Sequence, residues 1–334
     1  MRWLSEPVLA LETSCDETSA AVLVGKDIRS NIVSSQVEMH RQWGGVVPEA
    51  AARAHVEAIL PVIDSALKES GTSPKDLRAI AVTNRPGLIG ALSVGVTAAK
   101  SLAFAFNLPL IGVHHLEGHL LSPLAEHEVP FPHLALIASG GHTELVRVEG
   151  LGKYELIGQT LDDAAGEAFD KSARLLGLGY PGGKALQDAA VVGDPVRYAL
   201  PRALPDDPSN FSFSGLKTAV LRLVDKEGPK LSIADAAASV QEAIASVLAN
   251  KTVRTAENQR VAAITLVGGV ASNTRLRELL HEECSRAGIG FYTPVPLLCT
   301  DNAGMIGLAG SWRLASGQRD DLDLECFANA PLPE

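Results

Sequence analysis

Leu9–Gly25 reads LALETSCDETSAAVLVG, and Leu134–Gly150 reads LALIASGGHTELVRVEG. Each is an apolar run, a polar turn and a second run with strand character, the pattern of a strand–turn–strand hairpin. Laid over one another, Leu9-Ala10-Leu11 falls on Leu134-Ala135-Leu136, Ser14 on Ser139, Thr18 on Thr143 and Gly25 on Gly150. A hairpin start repeated near mid-chain points to a duplicated domain.

The segments around the two hairpins alternate between strand and helix patterns. Helical periodicity covers Pro48–Lys68, a strand follows at Ala79–Thr83, and "NRPGLIG" leads into a small-residue helix over Ala91–Phe106. Leu110–Val113 reads as a strand. Residues 151–215, rich in Gly, Pro and Asp, read as loop with short helices. Ser232–Glu257 is a long Ala-rich amphipathic helix with Ser232 as its N-cap. Val261–Val267 is β-branched and strand-like, and "GGVASN" turns into a helix over Thr274–Arg286. The expected fold is α/β, two duplicated lobes with mixed sheets. Residues 1–130 form the N-terminal lobe, with 301–325 completing it, and 131–300 form the C-terminal lobe with an insertion around 151–215. The length of 334 residues also favours two cores over one.

Bulk properties remove several classes of function. Hydrophobic residues make up 46% and charged residues 20%, a balance that supports folding. The net charge of −10 argues against holding nucleic acid by a broad basic field. The four cysteines, Cys15, Cys284, Cys299 and Cys326, are scattered without a C-x-x-C pair and read as free thiols of a reducing compartment. No uninterrupted apolar run approaches a membrane-spanning length, and no leader pattern opens the chain. A cytoplasmic protein with no membrane association is the expectation.

"GVHHLEGHLL", Gly112–Leu121, places three histidines and a glutamate in an apolar context. His115 and His119 share one helix face at i, i+4, a spacing that offers two imidazoles to one ion. His114 should face away. A zinc-peptidase helix needs Glu directly after its first His; here Leu116 holds that place and Glu117 follows it. Asp301, in "LLCTDNAG", is the best third donor; it follows a strand-like segment and precedes a small-residue helix. An N-capping role is its structural alternative. Two His and one carboxylate leave open positions, as catalytic Fe(II) or Zn(II) requires.

Three Gly-Gly turns read as lying near strand ends: Gly140-Gly141, Gly268-Gly269 and Gly182-Gly183. Together they suggest a nucleotide cleft between two domains. Glu12, Asp16 and Glu17 cluster in the first hairpin turn, and Asp163, Glu167 and Asp170 share a helical face. Cys15 reads as a small buried thiol, not a nucleophile.

The set "LETSCDETSAAV", "GGVVPEAAARAHV", "GVHHLEGHL", "SGGHTEL", "DDAAGEAFDKSARLLGLGYPGG", "FSFSGLKT", "VGGVASNTRLR" and "CTDNAGMIG" closely resembles the bacterial TsaD family across nearly the whole chain. The resemblance implies an actin/Hsp70/sugar-kinase-like (RNase H-like) fold around a central nucleotide cleft. It implies an acyltransferase that passes threonylcarbamoyl from its AMP anhydride to N6 of adenosine-37, in tRNAs reading codons that begin with A. By position it makes His115, His119 and Asp301 the ligands of one divalent ion per subunit, Fe2+ or Zn2+. Ala138, Ser139, Gly140, Gly141 and His142 match the substrate loop, and Asp170, Gly183 and Asn273 the remaining intermediate contacts. It implies partners as well: the tRNA anticodon loop, threonylcarbamoyl-AMP, a TsaB-like paralogue and a TsaE-like ATPase.

On that reading the backbone N–H groups of Ser139–Gly141 meet the AMP phosphate, and Asp16 or Glu12 takes a proton. The chain departs from the family at Arg85, where Gly is usual, at the Ala-Gly order after Asn302, and at Gln187, where an acid is usual with Asp188 beside it. Competing readings are a sugar-kinase-like ATP phosphotransferase, for which the His-His-Asp set is superfluous, a metallopeptidase, disfavoured by the His/Glu order, and a nucleotide-binding scaffold without turnover.

Overall fold

The computed structural model describes residues 2–332. It divides into two compact units: one runs up to His127 and resumes from Thr300, and the other is Glu128–Cys299.

The first unit is built on β1 (Pro7–Glu12), β2 (Glu17–Val24) and β3 (Asp27–Ser35), with the short α1 (Val37–Arg41), α2 (Pro48–Ser70), β4 (Ala79–Arg85), α3 (Ile89–Phe106), β5 (Leu110–His114) and α4 (His115–Leu121). Its sheet order is β3-β2-β1-β4-β5. β1 and β2, and β2 and β3, pair antiparallel; β1, β4 and β5 run parallel.

The second unit holds β6 (His133–Ala138), β7 (Thr143–Gly150), β8 (Lys153–Gln159), α5 (Ala165–Leu175), α6 (Gly182–Ala190), α7 (Ser214–Glu227), α8 (Ile233–Asn258), β9 (Ala263–Val267), α9 (Thr274–Ala287), β10 (Gly290–Tyr292) and α10 (Pro296–Cys299). Its sheet, β10-β9-β6-β7-β8, repeats the order and strand directions of the first. The duplication extends to register: Leu9 pairs with Val22 and Leu11 with Ala20, while Leu134 pairs with Arg147 and Leu136 with Leu145. These are the positions that the overlay of the two hairpin sequences superposes.

α11 (Ala303–Ala315) returns to the first unit. Alternate residues of a strand face opposite sides of a sheet. Leu9, Leu11, Val22, Ile80 and Val82 join the core formed with Ile59, Ile63 and Val96 of α2 and α3. Ala10, Leu23 and Ala81 meet α11 on the other side, where a Cβ at Gly307 would strike Leu23 and one at Gly310 would strike Ala81. The small residues of "NAGMIGLAG" therefore let a helix press onto a sheet that is buried on both faces.

The structure corrects several expectations. β3 and β8 were not foreseen; both are edge strands with polar, partly exposed residues that blur the alternation. Residues 151–215 contain β8, α5, α6 and the start of α7. The segment before Asp301 is the helix α10, not a strand. α3 is 18 residues long and apolar enough to cross a membrane. It packs Ala91, Leu92, Gly95, Val96, Ala99 and Ala103 into the first unit, against α2 and β4.

Candidate metal centre and substrate-binding turns

β5 ends at His114 and α4 starts at His115. His114 is spent on structure: its Nδ1 accepts the Leu116 N–H at 3.2 Å, and its Nε2 donates to the Ala330 carbonyl at 3.1 Å. His115 and His119, one turn apart, stand edge to face with ring centroids 4.8 Å apart and an interplanar angle of 89°. Asp301 reaches them from the other end of the sequence. Asn302, not Asp301, caps α11 by accepting the Met305 N–H at 3.1 Å, which leaves the Asp301 carboxylate free. Asp301 Oδ1 lies 3.1 Å from His119 Nε2 and 3.4 Å from His115 Nε2. Tetrahedral zinc bonds of about 2.1 Å place neighbouring ligand atoms about 3.4 Å apart, close to both Asp301–histidine distances. The expected triad thus forms a candidate metal site, with all three donor atoms within 4.8 Å of one another. His119 has no exposed surface, whereas the Asp301 side chain keeps 25% exposure, so the site opens on the aspartate side.

Behind His115 lies a support that spacing could not reveal. Glu12, at the end of β1, is fully buried. Its Oε2 accepts from Thr83 Oγ1 at 2.6 Å and faces His115 Nδ1 at 3.0 Å, and its Oε1 accepts the Ser14 N–H at 2.5 Å. A carboxylate on the far nitrogen of a ligand histidine fixes the ring and makes the other nitrogen more basic. With both oxygens engaged and no exposure, Glu12 is not placed to take a proton from substrate; it orients His115.

Burial opposes charge on Glu12 and Asp301, but the adjacent His115 holds both below the usual carboxylate range, Asp301 far below it. Burial also opposes charge on His115, yet Asp301 and Glu12 raise it well above its ordinary value. Burial lowers His119. A raised His115 holds its proton more tightly than an ordinary histidine, so an ion bound there would compete with that proton. Zn2+ affinity should therefore rise with pH as His115 loses its proton. Zn2+ titrations from pH 6 to 9 on metal-free protein check this; an affinity independent of pH contradicts it.

The turn between β1 and β2 is held from several sides. His55, from α2, faces Thr18 Oγ1 through Nδ1 at 2.8 Å and donates from Nε2 to the Cys15 carbonyl at 3.0 Å. The Gln36 N–H donates to the Asp16 carbonyl at 3.0 Å. Burial, then the charge of Asp301, raises Asp16; burial raises Glu17 to about 8. Burial also pushes the Cys15 thiol far up, which agrees with a non-nucleophilic cysteine. The only sequence sign of His55 as a support was a histidine inside an apolar helical stripe. Glu117 is bound to Arg313 within the core, so the peptidase reading has no general base there.

The remaining expected positions lie in the second unit. In the Ala138–His142 turn the Ser139 N–H donates to the His142 carbonyl at 2.8 Å, and the His142 N–H to Ser139 Oγ at 3.1 Å. The Ser139 N–H is therefore not available for a phosphate, while those of Gly140 and Gly141 have no partner among the described residues. The Ser139 carbonyl accepts the Gly166 N–H at 3.1 Å, which ties the turn to the start of α5. Further along α5, Asp170 Oδ1 accepts the Gly182 N–H at 2.8 Å, placing Gly183 in the first turn of α6. From α6, Gln187 Oε1 accepts the Thr274 N–H at 2.8 Å. The neighbouring Asn273 caps α9 through the Leu276 N–H at 2.9 Å and donates to Gln241 at 2.9 Å. These hydrogen bonds tie together the segments that carry the expected substrate positions of this unit. The Asn273 amide and Gln187 carry structural duties there, and Asp188 pairs with Lys184 at 2.6 Å.

Two mixed sheets of identical order, the first carrying a His-His-Asp cluster, define the duplicated actin-like α/β class. Solved structures share this fold: full-length HypF at TM-score 0.62 and 15% identity, covering 98% of this chain and 48% of that one. The (R)-2-hydroxyglutaryl-CoA dehydratase component A of Acidaminococcus fermentans matches at TM-score 0.55 and 16% identity, covering 93% of this chain and 100% of that one. The chain belongs to the TsaD family, whose model, described as tRNA N6-adenosine threonylcarbamoyltransferase, matches residues 27–308; it is an acyltransferase. Two relatives carrying that name are those of Symbiobacterium thermophilum, 52% identical over 99% of both chains, and Syntrophotalea carbinolica, 48% identical over 98% of this chain and 97% of the relative.

Proposed function

We propose that this chain transfers the threonylcarbamoyl group from threonylcarbamoyl-AMP to N6 of adenosine-37, in tRNAs reading codons that begin with A. The observation that carries this reading is the convergence of His115, His119 and Asp301 in a chain of the TsaD family. One divalent ion per subunit, Fe2+ or Zn2+, held by these three residues would supply Lewis-acid polarisation of the carbamoyl group and a hold on the threonine oxygens.

The chain's own groups account for the rest of the step. The N6–carbon bond forms, the carbon–oxygen bond of the mixed anhydride breaks, and AMP leaves with that electron pair. The N–H groups of Gly140 and Gly141, without a partner among the described residues, are donors for the departing phosphate. The N6 proton passes to Asp16, which its burial leaves more basic than an ordinary aspartate. An exocyclic amine is a poor nucleophile, so positioning dominates the rate. The base comes from a single-stranded anticodon loop and is presented without melting a duplex. Asp16→Ala should slow transfer by about 10²–10⁴-fold, the usual contribution of a positioned acid or base. Single-turnover assays with preformed intermediate measure it; an unchanged rate removes Asp16 from the mechanism.

A TsaB-like paralogue and a TsaE-like ATPase complete this cytoplasmic system. Val56 and Leu60, one turn apart on α2, and Phe104 on α3 are apolar and exposed by 63%, 67% and 77%, the kind of surface a protein partner covers. The double substitution V56D/L60D should abolish heterodimer formation with the paralogue in light-scattering chromatography while leaving the isolated chain folded. An intact heterodimer would place the contact elsewhere.

The whole reading is tested by incubating the chain with tRNA, threonine, bicarbonate, ATP, the separate synthase that makes the intermediate and both partners, followed by nucleoside mass spectrometry. Threonylcarbamoyladenosine that depends on this chain is the expected product; unmodified adenosine overturns the reading.

A further inference from the structure

The metal centre draws its ligands from one helix and from the segment that leads into another, which meet only in the folded chain. His115 and His119 belong to α4, while Asp301 stands two residues before α11. Such a site works only if α4 is held against α11 at one rotation and one height, because ligand geometry tolerates about half an ångström of error. The apolar part of the contact does not set that register. Gly118 lies against Met305 and Ile306 so closely that a Cβ would stand 2.8 Å from Ile306 Cδ1. A glycine against aliphatic side chains permits close approach but gives little direction.

Direction comes from Glu117. It lies between the two ligands in sequence, about 200° around the helix from each, and so points away from them. It has no exposed surface. Arg313 of α11 grips it with a fork: Nε donates to Oε2 at 2.6 Å and Nη2 to Oε1 at 3.0 Å. The remaining arm of Arg313, Nη1, donates to Gln318 at 2.6 Å, so the guanidinium bonds through all three nitrogens. A buried ion pair gains little stability over an apolar pair of the same volume, because desolvating both charges offsets their attraction. What it adds is geometric: two parallel donor–acceptor bonds accept only a narrow range of relative orientations.

We propose that the buried Glu117–Arg313 pair is the positioning element of the metal centre, locking α4 to α11 so that His115, His119 and Asp301 meet at one ion. The proposal rests on the metal reading of the triad. It assigns a duty to Glu117, the acid of the histidine run, which is fully buried and turned away from His115 and His119.

The test is Zn2+ affinity, measured on the full-length metal-free chain by competition with a chromophoric chelator, alongside its melting temperature. In E117M/R313M the pair is replaced by apolar side chains, and the metal-free protein should melt within a few degrees of the parent. Its Zn2+ affinity should fall by about 10–100-fold, the usual cost of losing a group that only orients ligands. R313K keeps the charge but loses the fork and should show a smaller fall. Zn2+ affinity within twofold of the parent in the folded double variant overturns the proposal. Should that variant fail to fold, an R313K affinity within twofold of the parent overturns it equally. A parent that binds Zn2+ no better than H119A sinks the metal reading itself, a result distinct from either of these.

Discussion

Asp301→Ala should lower threonylcarbamoyladenosine formation by more than about a hundredfold, since losing a group that merely orients a ligand costs about 10–100-fold and Asp301 is the proposed ligand itself. Its Oδ1 faces both imidazole Nε2 atoms, at 3.1 and 3.4 Å, so the substitution opens the side of the site shared by both rings. It also removes the anion that contributes most to raising His115. In the metal-free variant His115 should therefore titrate closer to an ordinary histidine, which two-dimensional NMR of the imidazole resonances can follow. Metal content by mass spectrometry should fall together with activity. Asp301→Asn, which keeps the shape and one lone-pair oxygen but not the charge, should lie between. An Asp301→Ala enzyme with full metal content and full rate would refute the assigned ligand set.

The second large effect concerns stability. Lys251, on α8, is buried, and its ammonium donates to the carbonyls of Leu204, Asp207 and Asn210, each at 2.7 Å. Burial works against its charge and lowers its pKa, but all three N–H groups are satisfied. The loop it holds leads to Phe211, which is wholly buried in the second unit's core. Beyond it, Ser212, Phe213 and Ser214 all donate to Asp162, just ahead of α5. Lys251→Met leaves three carbonyls without their donor and should destabilise the protein by about 3–5 kcal/mol, less than the sum of three charged hydrogen bonds because the loop relaxes. At about 2–4 °C per kcal/mol for a unit of this size, the melting temperature should drop by about 6–20 °C. Hydrogen exchange should rise over residues 200–214. A melting temperature within two degrees of the parent would show that the loop is held by its own turns.

Much of the architecture was legible in the chain. The two hairpins announced themselves because strand periodicity is a local pattern, and their shared register follows from matching apolar positions. The long helices α2, α8 and α9 were legible for the same reason, and the observed cap of α8 at Ser232 is the expected one. β3 and β8 were not, because an edge strand half open to water needs no strict alternation. α10 passed for a strand because a four-residue apolar run carries no period.

At the site the division is sharper. The sequence by itself indicated most of the element types, the duplication, the pair His115/His119 and Asp301 as the candidate third donor. These rest on patterns within a turn or two of chain, or on motifs carried in order. The tertiary structure alone decided that Asp301 reaches the pair, that the buried Glu12 faces His115, and that Glu117 closes on Arg313. It also decided that the Ser139 N–H is already spent. The long-range contacts among these join groups separated by 182, 103 and 196 residues. Local periodicity describes one element at a time, and such distant partners are fixed only when helices dock on a sheet and a buried charge must find its counter-group or go unpaired.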